Sequence, residues 1–372
     1  MGTDERASGG GAGGLAAGGV MKAARLYGAR DIRVEDVPDP DPPEPGEALL
    51  AVGCVGVCGS DLHTYLDGRI GDTEVARPAV MGHEFMGRVL AVGEGAHDAF
   101  HRPLAVGARV AVDPNIPDVT HEQFEHGNPN LAVKAFLGLF PDDGGLQERM
   151  RVPARSCVPV PDALSDDAAA LLEPLGVALH TVRLAHLELG DSVAVLGSGP
   201  IGLLVQRLAR LAGAGAVYAF DRFSWRVDLA RRWGATEAHQ VEDAFDPVGE
   251  IERATGGRGV DVAIEAAWAD ESVAVAAEVA RLGGRVVLAG IPGDDRLAMK
   301  HSTARRKGLT LRLVRRMQHT YPRAVELAVS GAVPLDELVS HRFALDATAE
   351  AFAVNARYEQ GVNKVMVEVA GA

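Results

Sequence analysis

The chain has 372 residues, 47% of them hydrophobic and 24% charged, and its formal net charge at pH 7 is −14. This length favours two hydrophobic cores, and this composition is typical of a folded globular protein. The negative charge argues against nucleic acid and anionic membranes as partners, so we expect a small-molecule ligand. Only three cysteines occur, too few for a disulfide framework, which favours a cytoplasmic location.

The first twenty residues are rich in glycine and alanine and lack the continuous apolar core of a secretory signal. We therefore predict a disordered extension over residues 1–20, and Met21 stays open as an alternative start. No later run approaches the roughly 18 uninterrupted apolar residues of a membrane span.

Short β-branched runs separated by Gly and Pro continue from residue 22 to about residue 160, as in 106–112 and 151–153. This punctuation predicts a compact β-rich domain. The run 364–369 near the end of the chain has the same strand-like pattern, so we expect the chain to return to this domain. We place the β-rich domain at residues 21–167 and 314–372.

Between residues 168 and 313, apolar runs alternate with helical stretches, which predicts a parallel sheet with helices on both faces. The predicted strands are 193–196, 217–220, 260–265 and 285–290. A helix should begin at Pro200 and stop at Gly213. Its apolar face is formed by residues at steps of three and four, namely Ile201, Leu204, Val205, Leu208 and Leu211. The expected fold class is α/β, with a doubly wound second domain.

Candidate metal ligands occur in separate loops: Cys58 in a Gly-rich turn, His83 and Glu84 after Gly82, and Glu173 in a Glu-Pro-Leu segment. A thiolate, an imidazole and carboxylates are typical ligands of a catalytic zinc that keeps one position open. Such a zinc lowers the pKa of a hydroxyl from about 16 towards about 7, so that an alcohol can lose its proton and release hydride. Each residue alone is more often an ordinary core or surface group.

Two residues near Cys58 suit a proton relay. Ser60 can accept the proton of an alcohol through its hydrogen bond, and His63 can pass a proton to solvent. The alternatives are that Ser60 caps a turn and that His63 is a solvated loop side chain. Cys54 lies in an alternating run and is expected in the core.

A dinucleotide-binding pattern follows the apolar run 193–196. Gly197 allows a tight turn, Gly199 lets the backbone approach a pyrophosphate, and Gly202 lets helix and strand pack closely. Pro200 opens the helix whose free N–H groups can bind phosphate oxygens.

The acid after the next strand predicts the cofactor type. Asp221 should hydrogen-bond the ribose hydroxyls and repel a 2′-phosphate, which favours NAD over NADP. The neighbouring Arg222 and Arg226 leave NADP open, because a guanidinium can bind a phosphate. We also assign Gly290 and Ile291 to the cofactor side.

Four motifs occur in the order and spacing of one known superfamily: 58–63 (Cys-Gly-Ser-Asp-x-His), 82–89 (Gly-His-Glu-x-x-Gly-x-Val), 173–175 (Glu-Pro-Leu) and 197–202 (Gly-Ser-Gly-Pro-Ile-Gly). The chain resembles the zinc-dependent medium-chain dehydrogenase/reductase (alcohol dehydrogenase) superfamily over essentially all of 21–369. The resemblance implies a GroES-like catalytic domain and a Rossmann domain at 168–313. It also implies NAD, and a homodimer or homotetramer whose subunit contact lies near strand 285–290.

The resemblance further implies roles for single residues. Cys58, His83, Glu84 and Glu173 would form the zinc neighbourhood, with either glutamate bound directly or through water. Glu173 counts with Ser60 and His63 among the catalytic residues. Ile201, Asp221 and Arg226 would lie at the cofactor.

Glu173 stands where the simpler alcohol dehydrogenases have a second cysteine, which is similar to the sorbitol (L-iditol 2-) dehydrogenase branch. By the same resemblance, Arg316 would lie near the nicotinamide and contact a polyol. Met317 stands where an aromatic residue often follows, so sorbitol itself stays open as substrate.

The lobe that holds a structural zinc in this superfamily departs from its pattern. The family spacing puts Asp118, His121, Phe124 and Ala132 at the four ligand positions. Phenylalanine and alanine cannot bind zinc, so we predict one catalytic and no structural zinc. Packing of Phe124, Leu131, Val133 and Phe136, or a subunit neighbour, should then hold the lobe.

The leading hypothesis is NAD-dependent interconversion of a secondary alcohol, in a polyol, sugar alcohol or cyclitol, and its ketone. An aldose 1-dehydrogenase or a threonine-type dehydrogenase on the same scaffold stays open. A non-enzymatic nucleotide-binding module is the remaining alternative.

Overall fold

The computed structural model describes residues 19–267, 269, 271–292, 296–359 and 361–369. The extension predicted over 1–20 lies outside these residues except for its last two, and Val20 already begins the first strand. The strands are β1 (Val20–Gly28), β2 (Asp31–Pro38), β3 (Glu47–Gly56), β4 (Arg69–Ile70), β5 (Thr73–Glu74), β6 (Ala79–Val80), β7 (Glu84–Val92), β8 (Arg109–Val112), β9 (Asn115–Pro117), β10 (Val133–Phe136), β11 (Arg149–Pro153), β12 (Cys157–Pro159), β13 (Ser192–Leu196), β14 (Ala216–Asp221), β15 (Glu237–Gln240), β16 (Val260–Glu265), β17 (Ala280–Leu288), β18 (Thr310–Leu313), β19 (Val339–Ala344) and β20 (Lys364–Glu368).

The helices alternate with the later strands. They are α1 (Gly59–Asp67), α2 (Glu122–Glu125), α3 (Asp166–Ala170), α4 (Leu172–Ala185), α5 (Pro200–Leu211), α6 (Ser224–Arg232), α7 (Pro247–Thr255), α8 (Ser272–Val279), α9 (His301–Lys307), α10 (Tyr321–Val329) and α11 (Thr348–Arg357). None of those in the described part of the chain has the length and hydropathy to span a membrane.

A largely antiparallel sheet collects strands from both ends of the chain, in the order β12-β8-β7-β3-β20-β19, with β11 also paired to β3. Gly56, at the end of β3, pairs with Glu84 on one side and with Met366 on the other. The start of β7 and the start of β20 therefore lie close together. The expected return of the chain to its first sheet is confirmed.

A second sheet is entirely parallel, with the order β15-β14-β13-β16-β17-β18. Counted along the chain this is 3-2-1-4-5-6, the doubly wound arrangement that binds dinucleotides beyond the carboxyl ends of its strands. The predicted α/β fold, with a GroES-like part and a Rossmann-like sheet, is confirmed. The domain boundaries at 167/168 and 313/314 stay a prediction.

Several predicted bounds are wrong in detail. The run 106–112 becomes a strand only at Arg109, because Gly107 turns the backbone with φ +86° and leaves Val106 exposed. Leu211 does not complete the apolar face of α5, since its side chain is 48% exposed. The strand predicted at 285–290 is β17, which pairs with β16 and β18 on its two sides, so the sheet edge is β18.

One core cluster joins the two sheets through α4. Leu172 and Leu175 of this helix are fully buried and share that cluster with Met86 of β7 and Val195 of β13. Cys54 is buried in the same cluster, as expected. The first turn of α4, which carries Glu173, is therefore fixed between the antiparallel sheet and the parallel sheet.

Candidate functional site

A buried aspartate fixes the first two candidate ligands. Asp61, in the first turn of α1, accepts a hydrogen bond from the Cys58 N–H at 3.0 Å, and its other oxygen lies 3.2 Å from His83 Nδ1. Burial lowers the pKa of His83, but the Asp61 carboxylate and the Cys58 thiol raise it well above its ordinary value. Nothing in the motifs predicted this role for Asp61, although its position within Cys-Gly-Ser-Asp was a signal.

Cys58, His83 and Glu84 form a group whose ligand atoms all lie within 4.8 Å of one another. The Ser60 hydroxyl is 3.4 Å from His83 Nε2, so it lies at the edge of the same group. His83 and Glu84 are buried, whereas Cys58 is half-buried. A soft thiolate, an imidazole and a carboxylate at this spacing fit a zinc ion.

The Glu84 carboxylate is also held by a lysine that the motifs did not predict. Lys364 Nζ, at the start of β20, donates to both oxygens of Glu84 at 2.7 and 2.9 Å and to the Val57 carbonyl at 3.1 Å. Both side chains are almost completely buried. The signal for Lys364 was a charged residue at the head of an otherwise apolar strand.

Glu173 lies beside this group but not within it. It stands in the first turn of α4, so its predicted loop position is wrong, whereas Glu84 begins β7, as expected for a residue at the entry to a strand. Burial raises the pKa of Glu173 to about 8, the His83 charge opposes this rise, and the Glu84 carboxylate adds to it. The structure thus brings two buried carboxylates next to the thiol and the imidazole.

His63 lies in α1 with only 7% of its surface exposed, so the alternative of a solvated loop side chain is wrong. Burial lowers the pKa of His63, and a hydrogen bond with the backbone of Ile291 opposes this shift. The predicted relay residue therefore meets a residue assigned to the cofactor side.

The glycine-rich turn after β13 has the geometry of a phosphate-binding loop. Gly197 has φ +96°, and a Cβ at this position would lie 2.6 Å from the Ala266 carbonyl. A Cβ at Gly202 would collide with the Gly197 carbonyl, and one at Gly199 would face Arg226 at 3.6 Å. Pro200 begins α5 directly after this turn. The absence of side chains here leaves room for a pyrophosphate above the helix N-terminus.

Asp221 ends β14 next to that turn, as predicted. Its two oxygens accept hydrogen bonds from the N–H groups of Ser198 at 2.8 Å and Phe223 at 2.9 Å. Arg226 lies over the rings of Phe223 and Tyr358 and is 9% exposed. Its Nε has no hydrogen-bond partner within the described ranges. An acid fixed by backbone and a buried free N–H fit the ribose end of a dinucleotide.

The other residues assigned to the cofactor lie along the same sheet edge. Ile201 is half-buried in the first turn of α5, and Ile291 is exposed. The Gly290 N–H donates to the Glu265 carboxylate at 3.1 Å, at the carboxyl end of β16. A Cβ at Gly290 would collide with this carboxylate.

Arg316 lies on the side of the candidate metal ligands. Its guanidinium carbon is 3.4 Å from the centre of the Phe136 ring, and that ring is 5.5 Å from the His83 ring. Burial lowers the pKa of Arg316 to about 10, Arg315 lowers it further, and the charges of Glu173 and Asp113 oppose this shift. One guanidinium nitrogen, Nη1, is buried and has no hydrogen-bond partner in the part of the chain that the structure describes.

The lobe without the expected cysteines is built from turns. Asp118 accepts hydrogen bonds from the Thr120 N–H and hydroxyl, and His121 Nδ1 accepts from the Gln123 N–H at the start of α2. Phe136 is buried, Phe124 and Val133 are half-buried, and Leu131 is 48% exposed, so the predicted packing role of Leu131 is wrong. The absence of a structural zinc stays a prediction.

A second group of close ligand atoms consists of Glu237, His239 and Glu250 in the parallel sheet. The Arg253 guanidinium forms ion pairs with both carboxylates there. This group is therefore an ion-pair network in which a cation is already present.

Comparisons with known proteins agree with this geometry. Residues 44–162 match the family model of the alcohol dehydrogenase GroES-like domain, and residues 200–330 match that of zinc-binding dehydrogenases. The chain is 34% identical to sorbitol dehydrogenase of Bacillus subtilis over 93% of this chain and 97% of that protein.

Two solved structures are similar over the whole fold. The structure of 2R,3R-butanediol dehydrogenase from Bacillus subtilis is 34% identical, has a TM-score of 0.82 and covers 94% of this chain and 99% of its own. A zinc-binding dehydrogenase from Sinorhizobium meliloti, bound to NADP, is 32% identical with a TM-score of 0.83 and the same coverage. The chain therefore belongs to the zinc-binding alcohol dehydrogenase family of medium-chain dehydrogenases.

Proposed function

We propose that this enzyme is a zinc-dependent, NAD-linked polyol dehydrogenase that interconverts a secondary alcohol and its ketone. The observation that carries this proposal is the close group of Cys58, His83 and Glu84. The Arg316 guanidinium lies nearby, and its Nη1 has no hydrogen-bond partner among the described residues.

Cys58 and His83 would hold the zinc through sulfur and nitrogen. Glu84 and Glu173 would provide the carboxylate, and the tight pairing of Glu84 with Lys364 supports Glu173 as the carboxylate free to bind the metal or its water. Zinc bound there would supply a Lewis acid, and bound NAD would accept hydride. The four-position lobe has only two residues able to ligate, which supports one zinc per chain.

Ser60 and His63 would move the proton. The Ser60 hydroxyl can accept the proton of the substrate alcohol because it lies beside the metal ligands, 3.4 Å from His83 Nε2. His63 would pass the proton onward from its buried position in α1, where it contacts the backbone of Ile291. Neutral His63 at pH 7 is the form that can accept a proton.

Gly197, Gly199 and Gly202 would bring the pyrophosphate against Pro200 and Ile201 at the start of α5. Asp221 would bind the ribose hydroxyls and Arg226 a neighbouring oxygen, with Gly290 and Ile291 along the same edge. The fixed carboxylate of Asp221 favours NAD. The relative that is bound to NADP makes the second cofactor part of the test.

The substrate class rests on Arg316 and on the relatives. Sorbitol and 2R,3R-butanediol, named for two relatives, both carry a hydroxyl beside the reacting carbon. A guanidinium with an unpartnered N–H can bind such an oxygen. All three cysteines are free thiols, which supports a reducing compartment.

We also propose that two copies associate through β18. All four residues of this strand are exposed, and among the described strands it pairs with β17 alone. An open sheet edge with apolar side chains is a surface that a second copy can cover.

A substrate panel tests the proposed reaction. Purified zinc-loaded enzyme is assayed with sorbitol, myo-inositol, butane-2,3-diol, butan-2-ol, glucose and threonine, each with NAD and NADP. We expect the highest kcat/KM for a substrate with neighbouring hydroxyls and NAD. Turnover confined to glucose or threonine, or no turnover of any alcohol, would contradict the proposal.

A further inference from the structure

The short segment that carries Arg316 has an unusual backbone. Arg316 has φ +56° and His319 has φ +49°, and neither residue is glycine. Left-handed backbone is unfavourable for residues with a Cβ and persists only where surrounding contacts impose it. The segment 315–319 must therefore be held from outside.

The lobe at residues 113–137 provides most of those contacts, and Arg183 of α4 donates to the Gln318 carbonyl at 3.0 Å. Asn130 Nδ2 donates to the Arg315 carbonyl at 3.0 Å, which is the peptide unit that leads into Arg316. Asn130 is only 4% exposed, and among the described residues its Oδ1 has no hydrogen-bond partner, so this donation orients the amide. The bond ties the backbone at Arg316 to the lobe.

The other end of the segment is tied to the same lobe. Gln318 Nε2 donates to the Gly127 carbonyl and to Asn128 Oδ1, both at 2.7 Å. His319 Nε2 lies 3.2 Å from the same Gly127 carbonyl. Hydrogen bonds from the single loop between α2 and β10 thus bracket Arg316 on either side.

The guanidinium is held just as closely. Its carbon is 3.4 Å from the centre of the Phe136 ring, and Phe136 ends strand β10 of this lobe. Its Nη1 is buried and unpartnered, near the charges of Glu173 and Asp113. A buried donor without a partner is costly unless a ligand supplies the acceptor.

We propose that Asn130 is a positioning residue for substrate: by holding the Arg315–Arg316 peptide unit, it aims Arg316 at an oxygen next to the reacting carbinol. This inference rests on the proposed function and deepens it. The lobe thereby controls how the enzyme recognises the hydroxyl next to the reacting carbon. The lobe then influences substrate specificity through hydrogen bonds. In this chain only two of its four family ligand positions hold a residue that can bind a metal.

The test compares a diol with a monool of the same carbon skeleton. Asn130→Leu keeps the approximate shape of the side chain but removes the donor to the Arg315 carbonyl. The backbone of Arg316 can then leave the left-handed region. We expect kcat/KM for butane-2,3-diol to fall about tenfold more than kcat/KM for butan-2-ol, mainly through KM, because the lost bond to substrate is charge-assisted.

A double-variant cycle separates positioning from general loosening. In an Arg316→Leu background, Asn130→Leu should leave the diol-to-monool ratio unchanged, because the aimed group is already absent. Thr120→Val is the matched control. The Thr120 hydroxyl donates to Asp118 Oδ1 within the same lobe, a bond that involves neither Asn130 nor residues 315–319, so this variant should leave the ratio unchanged.

The outcomes are distinct. If wild-type enzyme oxidises neither alcohol, the proposed function fails. If the wild-type enzyme oxidises both alcohols and Asn130→Leu lowers kcat/KM equally for both, the positioning role is wrong. It is also wrong if Asn130→Leu lowers the diol-to-monool ratio as much in the Arg316→Leu background as in the wild-type chain. Should Asn130→Leu not fold, Gln318→Met removes the second tie on the exposed side. A ratio unchanged in that variant contradicts the role of the lobe, and a lowered ratio supports it.

Discussion

At the scale of single residues, the candidate metal ligands are held by buried ion pairs. Asp61 contacts His83, and Lys364 contacts Glu84, with all four side chains at most 5% exposed. A buried charge needs an opposite charge and hydrogen bonds to be tolerated. The ligand geometry therefore depends on two residues that the motifs did not predict to take part.

Replacing Lys364 with methionine should lower the free energy of unfolding of the protein. The variant keeps the volume but leaves Glu84 buried without its cation, beside Glu173. Breaking a buried pair in this way costs about 3–5 kcal/mol of unfolding free energy. Urea unfolding of the metal-free protein measures it. Lys22→Met, which removes an exposed pair with Asp346, is the control and should change stability little.

Removing the imidazole of His63 should slow alcohol oxidation. Burial lowers the pKa of His63, so the neutral, proton-accepting form prevails at pH 7 and oxidation falls as pH drops through that lowered pKa. We expect His63→Gln to reduce kcat at pH 7 by about tenfold or more and to abolish this inflection. An unchanged pH–kcat profile in the variant would contradict the relay.

The ligand types themselves could be predicted because Cys58, His83 and Glu84 carry their chemistry in their side chains. Their partners could not, because Asp61 and Lys364 meet the ligands only after β3, β7 and β20 pair. The separation between Glu84 and Lys364 in the chain is 280 residues, beyond the reach of any local pattern.

At the scale of elements, strand periodicity identified the parallel sheet well. The predicted strand 260–265 agrees with β16 to the residue, and α5 begins at Pro200 as predicted. The errors occur where backbone conformation determines the bounds of a strand. At Gly107, for example, a left-handed turn makes β8 begin only at Arg109. Turn geometry of this kind has little signature in hydrophobic periodicity.

Asp261 joins the amino ends of β13 and β16. It accepts hydrogen bonds from Arg258 Nη2 at 2.6 Å, Arg281 Nε at 2.6 Å and the Ser192 N–H at 3.0 Å. The Arg258 guanidinium holds the pKa of Asp261 well below its usual range, although burial opposes the shift. The carboxylate therefore stabilises the fold in its ionised form.

Asp261→Asn should lower the unfolding free energy by about 2 kcal/mol at pH 7. Because the pKa is lowered on folding, this difference is fully present above the unfolded pKa of about 3.9 and shrinks as pH falls below it. Urea unfolding at pH 7, 5 and 3 measures the trend, with the exposed Asp228→Asn as control. If the difference in unfolding free energy between wild type and Asp261→Asn grows as the pH falls, the prediction is contradicted.

At the scale of the whole molecule, β18 leaves the parallel sheet open at one edge. Leu313 is 64% exposed and Leu311 39% exposed in the single chain. We expect sedimentation equilibrium to show at least a dimer and Leu313→Glu to shift it towards monomer. Leu189→Glu, at a residue 91% exposed elsewhere, should leave the assembly intact. A monomeric wild-type chain would contradict this contact.

The order of motifs predicted the overall architecture, because 58–63, 82–89 and 197–202 each require a defined strand or helix beside them. The hydrogen bonds between the lobe and residues 315–319 could not be predicted. They depend on how the returning chain meets Asn128 and Asn130, which no motif encodes.

Zinc content measured together with NAD-dependent alcohol oxidation, in the wild-type chain and in Cys58→Ser, tests the central claim most directly. We predict about one zinc per wild-type chain. Cys58→Ser should lose both the zinc and the oxidation, whereas Cys157→Ala, at a buried thiol outside the ligand group, should keep both. Metal-free wild-type enzyme with full activity, or Cys58→Ser with unchanged zinc and turnover, would contradict the account.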